Sequence, residues 1–237
     1  MKNKSLLFAI CCLFAFASNA QELTGKQLLE KAIAYHDPAN SWAQFKGNFV
    51  VTMTTPNKVS RVSDIQINLP GNTFVLTNTR DGNKITSTLN NGDCVLSVND
   101  SIITDDAELK KHKLTCDRVK MMKNYYTYLY GLPMKLNDNG TIIGEEVQTK
   151  TFKGKTYLVL KATYEESVGK DTWYFYFDPK TYAMEVYQFF HDESKNDGEY
   201  ILLTEEEEVN GIKMPKTRAW YYNKDDKHLG TDVLSKQ

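Results

Sequence analysis

The spacing of hydrophobic residues along this chain switches between periods of about 3.6 and 2, and each switch marks an element. Leu28, Leu29, Ala32 and Ile33 recur at helical spacing, with Thr24 placed as an N-cap and Gln27 three residues on, as in a capping box. That stretch predicts an amphipathic helix of about three turns, ended before Asp37-Pro38. From Trp42 the period drops to two. Phe45, Gly47, Phe49, Val51 and Met53 alternate with Lys46, Asn48, Val50, Thr52 and Thr54, the pattern of a half-buried antiparallel strand. Alternation returns over 61–69, 73–79, 84–89 and 94–98. Turn residues separate these runs: Pro56-Asn57-Lys58, Pro70-Gly71-Asn72, Asp81-Gly82 and Asn91-Gly92. Strand and tight turn at roughly ten-residue spacing make a meander.

The meander breaks at Thr104. Residues 105–113 are highly charged and read either as a helix start or as a solvated excursion. Over 114–130 the helical period returns. Val119, Met122, Tyr126 and Leu129 form a stripe that Met121, Tyr125 and Leu132 broaden, and Gly131-Leu132-Pro133 stops it. Strands then resume at 141–148, 155–164 and 172–177 and continue to a short last strand at 229–234. The reading is an α+β chain, mainly antiparallel β, with ten or eleven strands and two helices. No repeat, low-complexity tract or linker divides residues 21–237, which read as one domain.

Residues 1–20 stand apart from this pattern. Lys2 and Lys4 precede an apolar run from Leu6 to Phe16, and Ser18-Asn19-Ala20 offers small residues where a signal peptidase cuts. The run is too short for a stable membrane span. The reading is a signal peptide and an exported, periplasmic chain without a transmembrane span. Lipid anchoring at Cys11 or Cys12 is opposed by Ile10, which stands where a small residue is needed. Residues 21–237 carry 27 Lys and Arg against 30 Asp and Glu, so nothing in the charge favours nucleic acid or an anionic membrane. Beyond the leader only Cys94 and Cys116 remain. In an oxidising compartment they are either a disulfide or two buried thiols.

Candidate chemistry is sparse. His36, His112, His191 and His228 fall on unrelated elements and match no metal-ligand spacing, and no cofactor fingerprint occurs. His191 with Asp192 or Glu193 is the best local cluster, and the only one from which a hydrolase could be argued. The run Glu205 to Glu208 reads as a solvated strand end rather than a calcium site. Aromatic residues are the unusual feature. Trp173, Phe175 and Phe177 face one way along their strand, Tyr174 and Tyr176 the other, and Trp220, Tyr221 and Tyr222 are consecutive. A sheet this apolar needs a cover. If the helices fill the space beneath them, these residues form a core. If they cover it incompletely, the space is a pocket whose candidate lining is Phe49, Val51, Met122, Tyr126, Leu129, Tyr130, Leu132, Met134 and Phe175.

The order of elements, the stretch Asn124-Tyr125-Tyr126-Thr127-Tyr128-Leu129-Tyr130-Gly131-Leu132-Pro133-Met134-Lys135-Leu136 and the hairpin from Trp173 to Thr181 resemble the LolA/LolB lipoprotein-carrier superfamily, within it an uncharacterised envelope family. The resemblance implies a strongly curved, incomplete antiparallel barrel over residues 21–237, wrapped around helices that act as a lid. It implies a hollow for the acyl chains of lipoproteins, so a lipid or an acylated protein as partner. No lid arginine of those carriers is carried over onto this chain. The alternative is an envelope assembly module with a filled core and a protein partner. Expression in an export-competent host should give a mature chain beginning at Gln21 by N-terminal sequencing; a product that retains residues 1–20 would contradict the leader.

Overall fold

In the computed structural model, residues 23–236 are described, and the expected leader with Cys11 and Cys12 lies outside them. The capping box forms. Thr24 Oγ1 accepts from the Gln27 amide and the Gln27 side chain accepts from the Thr24 amide, opening α1 (Gly25–His36). The first meander comprises β1 (Lys46–Thr54), β2 (Arg61–Asn68), β3 (Thr73–Arg80), β4 (Asn83–Asn90), β5 (Asp93–Val98) and β6 (Ser101–Ile102). Two helices follow, α2 (Asp106–Lys111) and α3 (Cys116–Gly131). The second meander is β7 (Thr141–Phe152), β8 (Lys155–Tyr164), β9 (Thr172–Phe177), β10 (Met184–Phe190), β11 (Glu199–Val209), β12 (Ile212–Tyr222) and β13 (His228–Lys236).

All thirteen strands form one antiparallel sheet in the order β6-β5-β4-β3-β2-β1-β13-β12-β11-β10-β9-β8-β7. The last strand therefore closes against the first, with Val51 opposite Leu234, and joins the two meanders in the middle of the sheet. The outer strands β6 and β7 do not pair with each other, so the barrel stays open. Both edges are protected. β6 is only two residues long. On β7, Thr24 bridges to Glu146 beside a bulge, and α1 begins so close that a Cβ on Gly25 would lie 1.9 Å from the Gly144 carbonyl oxygen.

Among the described residues, thirteen strands and three α-helices replace the ten or eleven strands and two helices expected. β6 was missed because its hairpin turns on Asn99-Asp100, both at positive φ, with no glycine to announce it. The charged segment 105–113 is a short helix because Asp105 caps it through the Glu108 amide and acidic residues occupy its first turn. β13 runs nine residues rather than a short stretch, since it is paired on both sides.

α3 lies across the concave face and buries Val119, Tyr126, Leu129 and Tyr130. Tyr130 packs on Phe49 with ring centroids 4.8 Å apart, and Tyr126 stacks on Phe74 at 6.3 Å. Full burial of each such ring contributes about 1.5–3 kcal/mol. The alternation in β9 is realised. Phe175 and Phe177 enter the main core, while Tyr174 and Tyr176 join Tyr157, Val159 and Val186 in a second cluster on the other face.

Two links fix the helices. Cys94 on β5 and Cys116 at the start of α3 are bonded, with Cα atoms 5.9 Å apart and a sequence separation of 22. At the end of α1, Met184 N–H donates to His36 Nε2 at 2.9 Å, which leaves Nδ1 as the protonated nitrogen donating to the Lys213 carbonyl at 2.7 Å. Burial holds the His36 pKa below its ordinary 6.5.

A loop of this length implies that removing the disulfide costs about 3 kcal/mol. Urea unfolding of the Cys94→Ala, Cys116→Ala variant should show that loss, and an unchanged midpoint would contradict it. For His36 the unfolded chain takes up a proton first as pH falls below about 6.5, so its contribution to stability is present above that value and is lost toward the lowered folded pKa. Between about pH 7.5 and about pH 5 the wild type should lose more stability than His36→Gln, which keeps a donor and an acceptor without titrating. Parallel pH profiles would remove His36 from that role.

Candidate functional site

Strand parity builds the site. On the concave face of β2, successive inward positions read Ile67, Ile65, Ser63 and Arg61; on β3 they read Phe74, Leu76, Asn78 and Arg80. Both rows run from apolar to cationic in the same direction. The hydrogen-bonded ladder between the strands stops at Ser63–Asn78, and Arg61 and Arg80 lie two residues beyond it on the same face. β4 adds Ile85 and Ser87. The chain before α3 and its first turns roof this end with Leu114, Thr115, Arg118, Val119 and Met122.

Between roof and sheet lies a cavity of about 470 Å³. Leu76, Ile85, Leu114 and Val119 line it and are themselves buried, whereas Arg61 and Arg118 are exposed and Arg80 half-buried. It thus has a floor that mixes apolar side chains with the uncharged Ser63, Asn78 and Ser87, and a cationic mouth. Arg80 Nη2 donates to the His112 carbonyl at 2.6 Å and holds the corner between α2 and α3. Arg61 Nη2 reaches the Met53 sulfur at 3.0 Å. Asp81 is the one carboxylate in the lining. Burial pushes the Tyr126 hydroxyl pKa up, opposed by hydrogen bonding to Ser63 and by the Arg61 charge, so the core aromatics and the cavity meet at that hydroxyl. A second, more open hollow of about 520 Å³ lies on the other side of α3, near Tyr125 and Trp173. Two pairs of its polar groups are matched to one another, Tyr128 with Tyr164 and Lys135 with Asp138.

The nine lining candidates gather in one place. Phe49, Val51, Tyr126, Leu129, Tyr130, Leu132, Met134 and Phe175 are buried together in the main core, with half-buried Met122 packed against them. Met122 alone of the nine lines the 470 Å³ cavity. At the far end of α3 sits Arg218, wholly buried, its guanidinium 3.9 Å over the Tyr130 ring and its Nη2 donating to the Leu129 carbonyl at 3.3 Å. Asp232 faces Arg218 across the strand pair, and burial raises the Asp232 pKa.

His191 takes Asp171 as its partner, Nδ1 to Oδ1 at 2.7 Å, rather than Asp192 or Glu193, and this carboxylate raises its pKa. Asp192 caps the turn at Ser194, and Glu193 accepts from Tyr174 and Lys161. In the acidic run, Glu205 pairs with Lys216, Glu207 with Lys236, and Glu206 accepts from Tyr35. Among the described residues no cluster of three or more His, Cys, Asp or Glu could hold a metal ion, and no helix is long and apolar enough to cross a membrane.

The arginines were missed because Arg61 and Arg80 look like ordinary strand-end charges. Their shared parity with Ile65 and Leu76 was the available signal. Among solved structures, a LolA superfamily protein from Nitrosomonas europaea is similar in fold, with a TM-score of 0.52 and 11% identity over 90% of this chain and 92% of that one. A DUF1329 family protein from Desulfovibrio piger is matched at a TM-score of 0.47 and 10% identity, over 89% of this chain and 90% of that one. The open curved sheet is therefore LolA-like. No curated protein matches the sequence. A model of a family of unknown function, DUF6503, matches residues 3–236, and the chain belongs to that family.

Proposed function

We propose that this chain is a periplasmic carrier or binding protein for a ligand with a long apolar chain, taken up between α3 and the concave face of the sheet. The observation that carries the reading is the 470 Å³ cavity, whose size lies within the roughly 300–1,000 Å³ of small-molecule sites. Leu76, Ile85, Leu114, Val119 and Met122 give it apolar surface, and each CH₂ group transferred onto that surface from water contributes about 0.8 kcal/mol. An open sheet under a helix suits this use, because the ligand enters at an edge and no bond has to be made or broken. The acyl-chain cargo implied by the LolA/LolB resemblance and the leader-like residues 1–20 support the same reading. The nine core candidates would line the path of a longer chain that displaces α3 beyond Met122. Lipid or an acylated protein is then the partner, and catalysis is not part of the function.

One observation favours the alternative of an envelope assembly module. Eight of the nine candidates are buried in packed core rather than in the cavity lining. Protein purified without detergent should release lipid on organic extraction, identified by mass spectrometry, and should bind an apolar fluorescent probe. Val119→Trp, which fills the cavity, should weaken probe binding about tenfold or more, equivalent to about 1.4 kcal/mol. Extracts free of lipid across several preparations, together with probe binding that Val119→Trp does not change, would favour the module instead.

A further inference from the structure

The chain has twenty-five lysines and four arginines, Arg61, Arg80, Arg118 and Arg218. Three of the four line one cavity, and no lysine does. Elsewhere the division of labour is reversed. Surface ion pairs use lysine, as in Lys84–Asp100, Lys155–Glu185 and Lys216–Glu205. Among the described residues that line the cavity, no ion pair joins the three arginines to Asp81, although Arg61 and Arg80 share a face at the ends of neighbouring strands, where like charges repel. Lysine would supply the charge alone. Arginine adds a planar fork of donors that fits two oxygens of one carboxylate or phosphate. Arg80 has committed one nitrogen to the His112 carbonyl and keeps the rest of its donors. Behind this mouth the lining is Leu76, Ile85, Leu114, Val119 and Met122 with the uncharged Ser63, Asn78 and Ser87, and it holds no further cation.

We infer that the cavity takes an anionic amphiphile, its carboxylate or phosphate held by Arg61, Arg80 and Arg118 at the mouth and its alkyl chain lying under α3. The inference deepens the proposed carrier function and rests on it. A carboxylate would mean a free fatty acid, a phosphate a phospholipid headgroup, and the recognition chemistry is shared. Asp81 at the rim works against the anion and limits its affinity. Because the mouth is exposed, added salt weakens the headgroup contact and leaves the chain contact in place.

Calorimetric titration with dodecanoate, dodecyl phosphate, dodecanol and inorganic phosphate tests this, each kept below its micelle concentration. Both amphiphilic anions, or one of them, should bind about tenfold or more tighter than dodecanol. The preferred one identifies the headgroup. Arg61→Gln with Arg118→Gln should abolish that preference and leave dodecanol binding and the thermal melt unchanged. Arg61→Lys with Arg118→Lys should recover only part of it, and Asp81→Asn should strengthen it. Dodecanol binding as tightly as dodecanoate and dodecyl phosphate, unaffected by the Gln substitutions, would overturn the anion assignment and leave the carrier reading standing. Inorganic phosphate binding as tightly as dodecyl phosphate would overturn the amphiphile. If no alkyl compound binds, the carrier reading falls and takes this inference with it.

Discussion

An open, curved sheet has one unavoidable problem, a concave apolar face that water must not reach. Everything else in this molecule depends on how α3 solves it. The helix cannot be held by its own propensity, since tyrosines and a threonine fill its second half and its amphipathic stripe is broad rather than sharp. It is held by contacts at both ends. At the start, Cys116 is bonded to Cys94 on β5. At the end, Arg218 from β12 donates to the Leu129 carbonyl and lies against Tyr130. The two attachments stand on strands from opposite meanders, which are joined into one sheet by the pairing of β1 with β13. The cover therefore spans the seam of the sheet, and its placement reports whether the two halves are correctly joined.

The two attachments differ in kind. The disulfide acts mainly by restricting the unfolded chain. Arg218 acts in the folded core, where among the described residues its Nε and the Tyr130 hydroxyl have no hydrogen-bond partner. Burying a guanidinium under such terms costs stability unless its geometry is specified, and a buried charge is better understood as fixing one arrangement than as strengthening it. Here the arrangement fixed is the register of α3 over the Phe49 and Phe74 rings. A packed end and a hollow end of one helix follow. The aromatic half of α3 fills the space beneath it, and the first turns, with smaller and shorter side chains below, do not.

How much of this could be read from the residues depends on how local the signal is. The capping box at Thr24 and Gln27 is a contact over three residues, and it forms as read. The two faces of β9 follow from alternation alone, and Phe175 and Tyr174 land where parity puts them. β6 escaped because a two-residue strand has no period to detect. The pairing of β1 with β13 joins residues far apart in sequence, and nothing local to either strand encodes it. The disulfide was undecidable for the same reason. Two cysteines announce a possible bridge, but only the docking of α3 against β5 brings their Cα atoms to 5.9 Å.

The cavity was the hardest feature to locate because hydrophobicity points away from it. The most apolar positions, such as Phe49, Phe74 and Tyr130, are those that pack best against each other, so they close space rather than leave it. A void survives where the inward row changes character, from Ile65 and Leu76 to Ser63, Asn78 and the arginines. Polar side chains at inward positions cannot pack against the helix without desolvation, and they hold the roof off the sheet. The place to seek a binding site in such a sheet is therefore the point along a strand where parity still directs a residue inward but its chemistry no longer belongs in a core. Arg61 and Arg80 mark that point on two neighbouring strands, and Arg118 meets them from the helix.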